Sequence, residues 1–297
     1  MHIFVTGATG FVGSAVVREL AQAGHKVTGL ARSDAGAAQL EAAGAQVRRG
    51  SLQELDSLRQ GAADADGVIH TAFIHDFSKF QENCETDRGV VAALADGLAG
   101  SARPLIVTSG TALVPSGALA TEALKAGAAH PRVASEEAVE AALARGVNAS
   151  VMRLPPSVHG AGDHGFVPLL IALAREKGVS AYIGDGANRW PSVHRLDAAR
   201  LYRLALEQGN NAQRRWHAVA EEGVPFRAIA EAIGRGLKLP VVSLAREEAA
   251  AHFGWFGHFA GIDNLSSSAF TRELTGWTPV RAGLLEDVGD AASGYFG

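Results

Sequence analysis

The 297-residue sequence contains a single cysteine, Cys84, and its aromatic residues make up only 6% of the chain. One cysteine cannot form an internal disulfide or a zinc site of several thiolates, and the histidines include no HExxH pair, so no metal site is predicted. No apolar run approaches the roughly 18 residues that span a bilayer. The net charge of -4 provides no basic surface for nucleic acid or for an anionic membrane. The expected partners are therefore small molecules, with no nucleic acid and no membrane.

The amino terminus also lacks the pattern of a secretory signal. Residues His2 to Thr6 (HIFVT) already have the composition of a strand, with no basic segment or apolar signal core before them. The protein is therefore expected to be cytoplasmic. With 47% hydrophobic residues, the chain can form one large α/β domain, or one domain with an appended lobe.

A glycine-rich stretch follows this first strand and leads into a helix predicted over Ser14 to Ala23. In such a loop the first glycine allows a tight turn, the second lets the backbone approach a pyrophosphate, and the third lets the helix pack closely. Unpaired N–H groups at the helix N-terminus then face the anion. We predict a dinucleotide site here, with contacts from Gly7, Thr9, Gly10, Phe11, Val12 and Gly13.

Strands and helices alternate through the first half of the chain. The alternation predicts parallel βαβ units, and hence an α/β fold with a Rossmann-like, doubly wound parallel sheet. Ligands of such sheets bind beyond the carboxyl ends of the strands. Two long helices are predicted at Glu85 to Leu98 and Ser135 to Ala144, and Asp197 is expected to cap a later helix over Ala198 to Gln208. The strands predicted after the first are Lys26 to Ala31, Ala45 to Arg49, Gly67 to Ala72, Pro104 to Ser109 and Asn148 to Leu154.

Three segments carry a resemblance to a known family. The glycine stretch reads TGATGFVG, residues 153–160 read RLPPSVHG, and residues 193–199 read VHRLDAA. They resemble the extended and atypical short-chain dehydrogenases/reductases, of the NAD-dependent epimerase/dehydratase kind. The resemblance implies an NAD(P)-binding Rossmann domain over residues 1–155 and a smaller, mainly substrate-binding C-terminal lobe over 156–297, from which some segments return to the sheet. It also implies a homodimer held by the two long helices.

The end of the second strand bears on the choice of cofactor. An NAD site usually has an acidic residue there for the ribose 2′-hydroxyl, whereas this chain has Ala31 followed by Arg32, which suits the 2′-phosphate of NADP. In the alternative interpretation, Arg32 is a loop residue neutralised by Asp34. The resemblance makes Arg32 and Ser33 markers of NADP preference, with NAD as the alternative cofactor. It also implies cofactor contacts at Leu52, Thr71, Ala72, Phe73, Arg132 and Pro155.

The catalytic tyrosine of the family is missing from this chain. The resemblance implies that Ser109 or Thr111, at the end of the fifth strand, holds the substrate oxygen. The family's Tyr-x-x-x-Lys motif should follow, but its lysine position falls on Arg132 and its tyrosine position on Ala128, and the first tyrosine of the chain is Tyr182. A guanidinium can bind a ribose hydroxyl, but it stays protonated and cannot relay a proton as an ammonium can.

A histidine is the expected replacement as proton donor, because imidazole titrates near neutral pH. His159 is the preferred candidate, since it follows the Pro155 turn that the resemblance places at the nicotinamide. His130 and His164 are the alternatives. His70, inside an apolar strand, is interpreted instead as a hydrogen-bonded core residue.

The functional hypothesis from the sequence is an NADP-dependent oxidoreductase of the short-chain dehydrogenase/reductase type that acts on a small carbonyl or alcohol. Two alternatives stay open. One is an epimerase or dehydratase reaction, and the other is an NADP(H)-binding sensor or regulatory protein without catalysis.

Overall fold

The computed structural model describes residues 1–115, 117, 119–209 and 214–297. Its first half repeats a unit of strand, loop and helix, as the alternation of apolar runs predicts. The strands are β1 (His2–Thr6), β2 (Lys26–Ala31), β3 (Gln46–Arg49), β4 (Gly67–His70), β5 (Leu105–Gly110), β6 (Ala149–Leu154), β7 (Ser157–His159), β8 (Ser180–Ile183), β9 (Arg189–His194), β10 (Arg215–His217), β11 (Glu221–Pro225) and β12 (Val241–Leu244).

Helices connect these strands and cover both faces of the main sheet. They are α1 (Phe11–Gln22), α2 (Asp34–Ala42), α3 (Leu55–Ala63), α4 (Phe80–Leu98), α5 (Ala134–Ala144), α6 (Phe166–Lys177), α7 (Arg195–Glu207), α8 (Phe226–Leu237), α9 (Ala249–Phe253), α10 (Gly257–Ala260), α11 (Ala269–Thr275) and α12 (Leu284–Gly289).

The central sheet has seven strands in the order β10-β6-β5-β4-β1-β2-β3, and every neighbouring pair is parallel. Thr6, at the end of β1, is level with His70, at the end of β4. Since the strands are parallel, their carboxyl ends meet along one edge, which brings the glycine loop together with the residues after β2, β4 and β5. The expected α/β fold with a doubly wound parallel sheet is confirmed.

Apolar side chains that alternate in direction along the strands form two apolar layers, one on each face of the sheet. Ile3 and Val5 belong to the layer where α1 packs against α7, whereas Phe4 belongs to the layer where α4 lies between α3 and α5. The two-residue period of a strand sends successive side chains to opposite faces, so both faces of β1 are buried. This is the reason that β1 has no polar residue between His2 and Thr6.

The second half of the chain contributes to the central layer and also forms a smaller lobe. β10 is the edge strand beside β6, and α7 packs on α1. The lobe contains the sheet β11-β9-β7 and the parallel pair β12-β8, around a core that includes Trp190, Phe226 and Phe256. Within the described ranges, no helix combines the length and the apolar character needed to cross a membrane.

Three local expectations about helix ends are wrong. α1 begins at Phe11, ahead of the predicted Ser14, because its N-cap is Gly10. α4 starts at Phe80, ahead of the predicted Glu85, because the 3-10 turn at residues 77–79 leads directly into it. Asp197 does not cap α7, since that helix begins at Arg195 and His194 Nδ1 accepts the capping bond from the Leu196 N–H at 3.2 Å. The Asp197 carboxylate instead accepts the Arg281 N–H at 2.9 Å, and it thereby ties the C-terminal segment to α7.

Candidate functional site

The glycine-rich stretch, which forms the loop after β1 and the first turn of α1, has the close contacts that its sequence predicts. Gly7 has a φ of +66°, and a Cβ atom there would lie 2.6 Å from the backbone nitrogen of Ala72, after β4. A Cβ atom on Gly13 would lie 2.0 Å from the Gly7 carbonyl oxygen. Neither position can therefore carry a side chain without moving backbone. Gly10 is exposed, and a Cβ atom there would meet only the Gly7 carbonyl oxygen, at 3.2 Å. The loop is therefore open to a ligand at that point.

The N-terminus of α1 is prepared for an anion. Gly10 is its N-cap, no side chain caps it, and its first turn contains no acidic residue. The first N–H groups of a helix have no partner inside the helix, so they can bind phosphate oxygens here. The other predicted loop contacts, Thr9, Phe11 and Val12, are partly buried. Arg195 comes from α7 and lies 4.8 Å over the Phe11 ring, which adds a positive charge beside the loop.

At the end of β2, Arg32 is exposed, as a ligand of a cofactor phosphate must be. Asp34, which the alternative interpretation pairs with Arg32, forms its ion pair with Arg49 at the end of β3. Ser33 caps α2, its hydroxyl accepting the Gly36 N–H at 3.2 Å. Leu52 is buried in the apolar layer on the Phe4 face of the sheet, so most of its side chain is used in the core.

His70, at the end of β4, is a hydrogen-bonded core residue, which confirms the sequence interpretation. It is fully buried, and its Nδ1 lies 2.6 Å from the Thr6 hydroxyl. Its Nε2 lies 2.9 Å from Asp87 Oδ1 on α4. The three residues that follow β4, Thr71, Ala72 and Phe73, are half-buried at the sheet edge, where the resemblance implies cofactor contacts.

Arg132 lies between the residues after β4 and the end of β5. Its guanidinium carbon is 4.2 Å from the centre of the Phe73 ring, and its Nη2 donates to the Thr108 carbonyl at 3.1 Å. Its Nη1 donates to Asp87 Oδ2 at 3.1 Å and to the Ser135 hydroxyl. The sequence argument did not name Asp87 or Ser135 as residues of the site. A signal for Asp87 existed, because it precedes Val90, Val91 and Leu94 at helical spacing and is thus a charged residue on the apolar face of α4.

The two predicted catalytic hydroxyls are both occupied within the protein. Ser109 donates to Glu136 Oε1 at 2.8 Å, and Glu136 also pairs with the fully buried Arg153 at 2.7 Å. Thr111 is fully buried and donates to Asn264 Oδ1 at 2.7 Å. A substrate oxygen would have to displace one of these acceptors. Pro155, the predicted contact after β6, is buried.

The histidines proposed as proton donors lie in different surroundings. His159 is fully buried, its Nδ1 is 2.8 Å from Asp287 Oδ2, and its Nε2 makes no hydrogen bond with the described residues. His164 is exposed, with its ring 5.6 Å from that of Phe11.

His130 instead belongs to the Arg132 cluster. Its Nδ1 accepts the Arg132 backbone N–H at 3.2 Å, and its ring packs 5.6 Å from Phe80. Partial burial, together with the charges of His258 and Arg132, lowers the pKa of His130 below its usual 6.5. The structure thus joins Arg132, Phe73 and His130 in one cluster, whereas His159 contacts a separate group with Asp287 and His194. Over the described ranges, no group of three or more His, Cys, Asp or Glu side chains is arranged to hold a metal ion.

Comparison with known proteins agrees with this anatomy. Residues 3–218 match the NAD dependent epimerase/dehydratase family. An uncharacterized protein of Schizosaccharomyces pombe is 51% identical over 298 residues, which cover 100% of both chains. A 2-alkyl-3-oxoalkanoate reductase of Stenotrophomonas maltophilia is 30% identical over 228 residues, which cover 70% of this chain and 66% of the relative. The dTDP-glucose 4,6-dehydratase of Streptomyces venezuelae, solved with NAD and TYD bound, shares the fold with a TM-score of 0.75 at 19% identity, covering 100% of this chain and 98% of that one.

The family match covers the glycine loop, all the strands of the central sheet and the Arg132 cluster. The chain therefore belongs to the NAD-dependent epimerase/dehydratase family of short-chain dehydrogenases/reductases.

Proposed function

We propose that the protein is an NADP-dependent reductase of a small carbonyl compound, or a dehydrogenase of the corresponding alcohol. The observation that carries the proposal is the pairing of an uncapped helix N-terminus at Gly10 with an exposed Arg32 that no carboxylate neutralises within the described ranges. The first feature fits the pyrophosphate of a dinucleotide, and the second fits a 2′-phosphate. Similarity to a 2-alkyl-3-oxoalkanoate reductase supports the reductase direction. NAD is the alternative cofactor, because a neighbour in fold is solved with NAD bound.

The residues at the carboxyl ends of the central strands fit the nicotinamide half of such a cofactor. A nicotinamide cofactor, when bound, supplies or accepts a hydride. Arg132 has five N–H donors, of which three bond to Asp87, Ser135 and Thr108, so two remain for the ribose hydroxyls or for an oxygen of the substrate. Phe73 holds the guanidinium plane from one side. Ser109 and Thr111 remain the proposed contacts of the substrate oxygen.

The proton has to come from a group other than tyrosine. His130 is the histidine of the Arg132 cluster, and its neutral ring accepts the Arg132 backbone N–H at Nδ1, which leaves the Nε2 side of the ring for a substrate. To donate a proton from Nε2 the ring has to be protonated at both nitrogens, so Nδ1 releases the backbone N–H in that form and accepts it again after the proton is transferred. The sequence favours His159 through its position after Pro155, but the side chain is fully buried. We propose His130 as the proton donor, with His159 as the alternative.

The proposed organisation follows from these roles. Residues 1–155, together with α7 and β10, bind the cofactor, and the other elements of 156–297 close over a small-molecule substrate. We further propose a cytoplasmic homodimer that pairs through α4 and α5.

A second function is favoured by one observation. Because the hydroxyls of Ser109 and Thr111 are both engaged by other side chains and the tyrosine is missing, a protein that binds NADP(H) without catalysis is also consistent with the site. An epimerase or dehydratase reaction stays open through the family itself.

The test separates binding from catalysis. NADPH and NADH are titrated into the protein by fluorescence, and oxidation of bound NADPH is then followed at 340 nm with a panel of carbonyl compounds that includes 3-oxo acids. A reductase binds NADPH and consumes it with at least one compound. Binding without consumption favours the sensor, and no binding of either nucleotide overturns the proposed function.

A further inference from the structure

We propose that Asp87 is a positioning residue, whose carboxylate holds the Arg132 guanidinium at the sheet edge so that its two remaining N–H donors face the nicotinamide ribose of the bound cofactor. The inference rests on the proposed function and deepens it, because it names the group that orients Arg132, the residue that falls on the lysine position of the family's motif.

Asp87 is placed to act through Arg132 and not on the ligand itself. The residue is only 2% exposed, and both of its carboxylate oxygens are used. Oδ1 lies 2.9 Å from His70 Nε2, while Oδ2 accepts from Arg132 Nη1 at 3.1 Å and from the Ser135 hydroxyl. A ligand therefore has no free oxygen of Asp87 to contact.

The contacts of Asp87 connect Arg132 to the strand that carries the glycine loop. His70 bridges Asp87 and the hydroxyl of Thr6. Thr6 is the last residue of β1 and directly precedes Gly7. A buried row of side chains thus runs from Thr6 through His70 and Asp87 to Arg132. The guanidinium is fixed relative to the loop that is proposed to bind the pyrophosphate of the same cofactor.

The charge of Asp87 makes this arrangement specific. A buried carboxylate is costly unless it is paired, and a single arginine can satisfy it with directed hydrogen bonds. Burial alone would raise the pKa of Asp87, but His70, Arg132 and Ser135 together lower it, so the carboxylate stays ionised at neutral pH. Arg132 is held by this charge on one side, by the Thr108 carbonyl on the second and by the Phe73 ring on its face.

Holding the Arg132 side chain in place matters for affinity, because an arginine side chain that is not held loses conformational entropy when it becomes ordered on a ligand. A guanidinium that is already held loses little, so its remaining hydrogen bonds contribute more to affinity. The competing interpretation is that Asp87 only stabilises the core between α4 and β4. The two interpretations differ in what the loss of the charge does to ligands that do and do not reach Arg132.

The experiment uses the full-length protein and two probes. NADPH contains the nicotinamide ribose, whereas 2′,5′-ADP carries only the adenosine part and its phosphates. For Asp87→Asn we expect the Kd for NADPH to rise about tenfold, the scale of one lost charge-assisted hydrogen bond, with the Kd for 2′,5′-ADP unchanged. Arg132→Gln should give the same pattern. The double variant should bind NADPH no more weakly than Arg132→Gln alone, since the two residues act as one unit.

Two further variants serve as a matched control and as a second test of the inference. Glu122→Gln removes another buried carboxylate, one that binds the Thr271 N–H and hydroxyl at 2.8 and 2.7 Å, and it should leave the affinity for both probes unchanged. Should Asp87→Asn fail to fold, Ser135→Ala removes the two hydrogen bonds that this hydroxyl makes with Arg132 and Asp87 but keeps the charge, and it should weaken NADPH binding severalfold without affecting 2′,5′-ADP.

Three results would overturn the inference while leaving the proposed function intact. They are an unchanged NADPH affinity in a folded Asp87→Asn protein, an equal loss for both probes, and single-variant effects that multiply in the double variant. If the unsubstituted protein binds neither probe, the proposed function fails instead.

Discussion

Asp34, the first residue of α2, forms its ion pair with Arg49, at the end of β3, and not with Arg32, which is only two positions away in sequence. The carboxylate that the alternative interpretation assigns to Arg32 is thus directed to β3. The pair is exposed, with Asp34 99% and Arg49 50% accessible, so it contributes little to stability. Its consequence is that the Asp34 carboxylate does not hold the exposed Arg32 side chain, which leaves Arg32 accessible to a ligand.

Replacing Arg32 tests that consequence directly. NADPH should bind more tightly than NADH, and Arg32→Ala should remove most of the difference, about 1–3 kcal/mol, the scale of a charge-assisted contact. Affinities for both nucleotides are measured by fluorescence titration. Lys26→Ala is the matched control, since it removes one positive charge at the opposite end of β2 and should leave the preference unchanged. Equal affinities of the unsubstituted protein for the two nucleotides would contradict the assignment of Arg32.

The identity of the proton donor can be read from a pH profile. Since the pKa of His130 is lowered, the rate of carbonyl reduction should be highest at acidic pH and should decrease as the pH rises through an inflection below 6.5. His130→Phe should abolish that inflection and lower the rate about 10²–10⁴-fold, the usual contribution of a general acid, without changing the NADPH affinity.

The same profile for His159→Phe distinguishes the alternative from the sequence. This variant should keep the inflection, because His159 is buried and paired with Asp287. A profile that loses its inflection in His159→Phe but keeps it in His130→Phe would return the role to His159. A profile that stays flat from pH 4.5 to 9 in the unsubstituted protein, a window that extends well below 6.5, would exclude both histidines as donors.

His217 predicts how the stability of the fold depends on pH. Burial lowers its pKa to about 4, from 6.5, while its Nδ1 lies 2.8 Å from the Ser267 carbonyl oxygen and its Nε2 lies 3.2 Å from Arg153 Nη1. Below pH 6.5 the unfolded chain binds a proton at this histidine that the folded chain does not bind until about pH 4. The free energy of unfolding should therefore decrease as the pH falls through this window, by about 2 kcal/mol between pH 7.5 and 5.0 from His217 alone.

Urea unfolding at several pH values checks this prediction. His217→Gln should flatten the dependence between pH 7.5 and 5.0, although the variant is less stable at every pH. His164→Gln serves as the control, because His164 is exposed and should leave the dependence as it is. An identical slope in His217→Gln and the unsubstituted protein would show that another group titrates.

The proposed dimer gives a prediction about mass. Light scattering at micromolar concentration should give twice the 30.8 kDa of one chain. On α4, a Cβ atom at Gly89 would meet no atom within 4 Å, so Gly89→Gln fits the monomer but blocks close approach of a second chain along this helix. The variant should be monomeric, whereas Gly289→Gln on α12, which is equally open, should remain dimeric. A mass near that of one chain for the unsubstituted protein would remove the dimer.

The sequence by itself determined the fold and the nucleotide loop. The apolar run His2–Thr6 and the spacing of Gly7, Gly10 and Gly13 are local patterns. Local backbone preferences are enough to predict a strand and a tight turn from them, without tertiary contacts. The same is true of the burial of His70, because a polar residue within an apolar strand of a parallel sheet has to be covered on both faces.

The tertiary structure alone decided which side chains meet at the site. Arg132 is 45 residues from Asp87, and His159 is 128 residues from Asp287, so no local pattern joins either pair. Ser109 looks like a free hydroxyl in the sequence until the fold brings Glu136 to it. Hydrogen bonds and ion pairs depend on distances of a few ångströms. Those distances are set by how the helices pack on the sheet. The sequence specifies that packing only through the whole fold, so short stretches of it do not reveal these pairs.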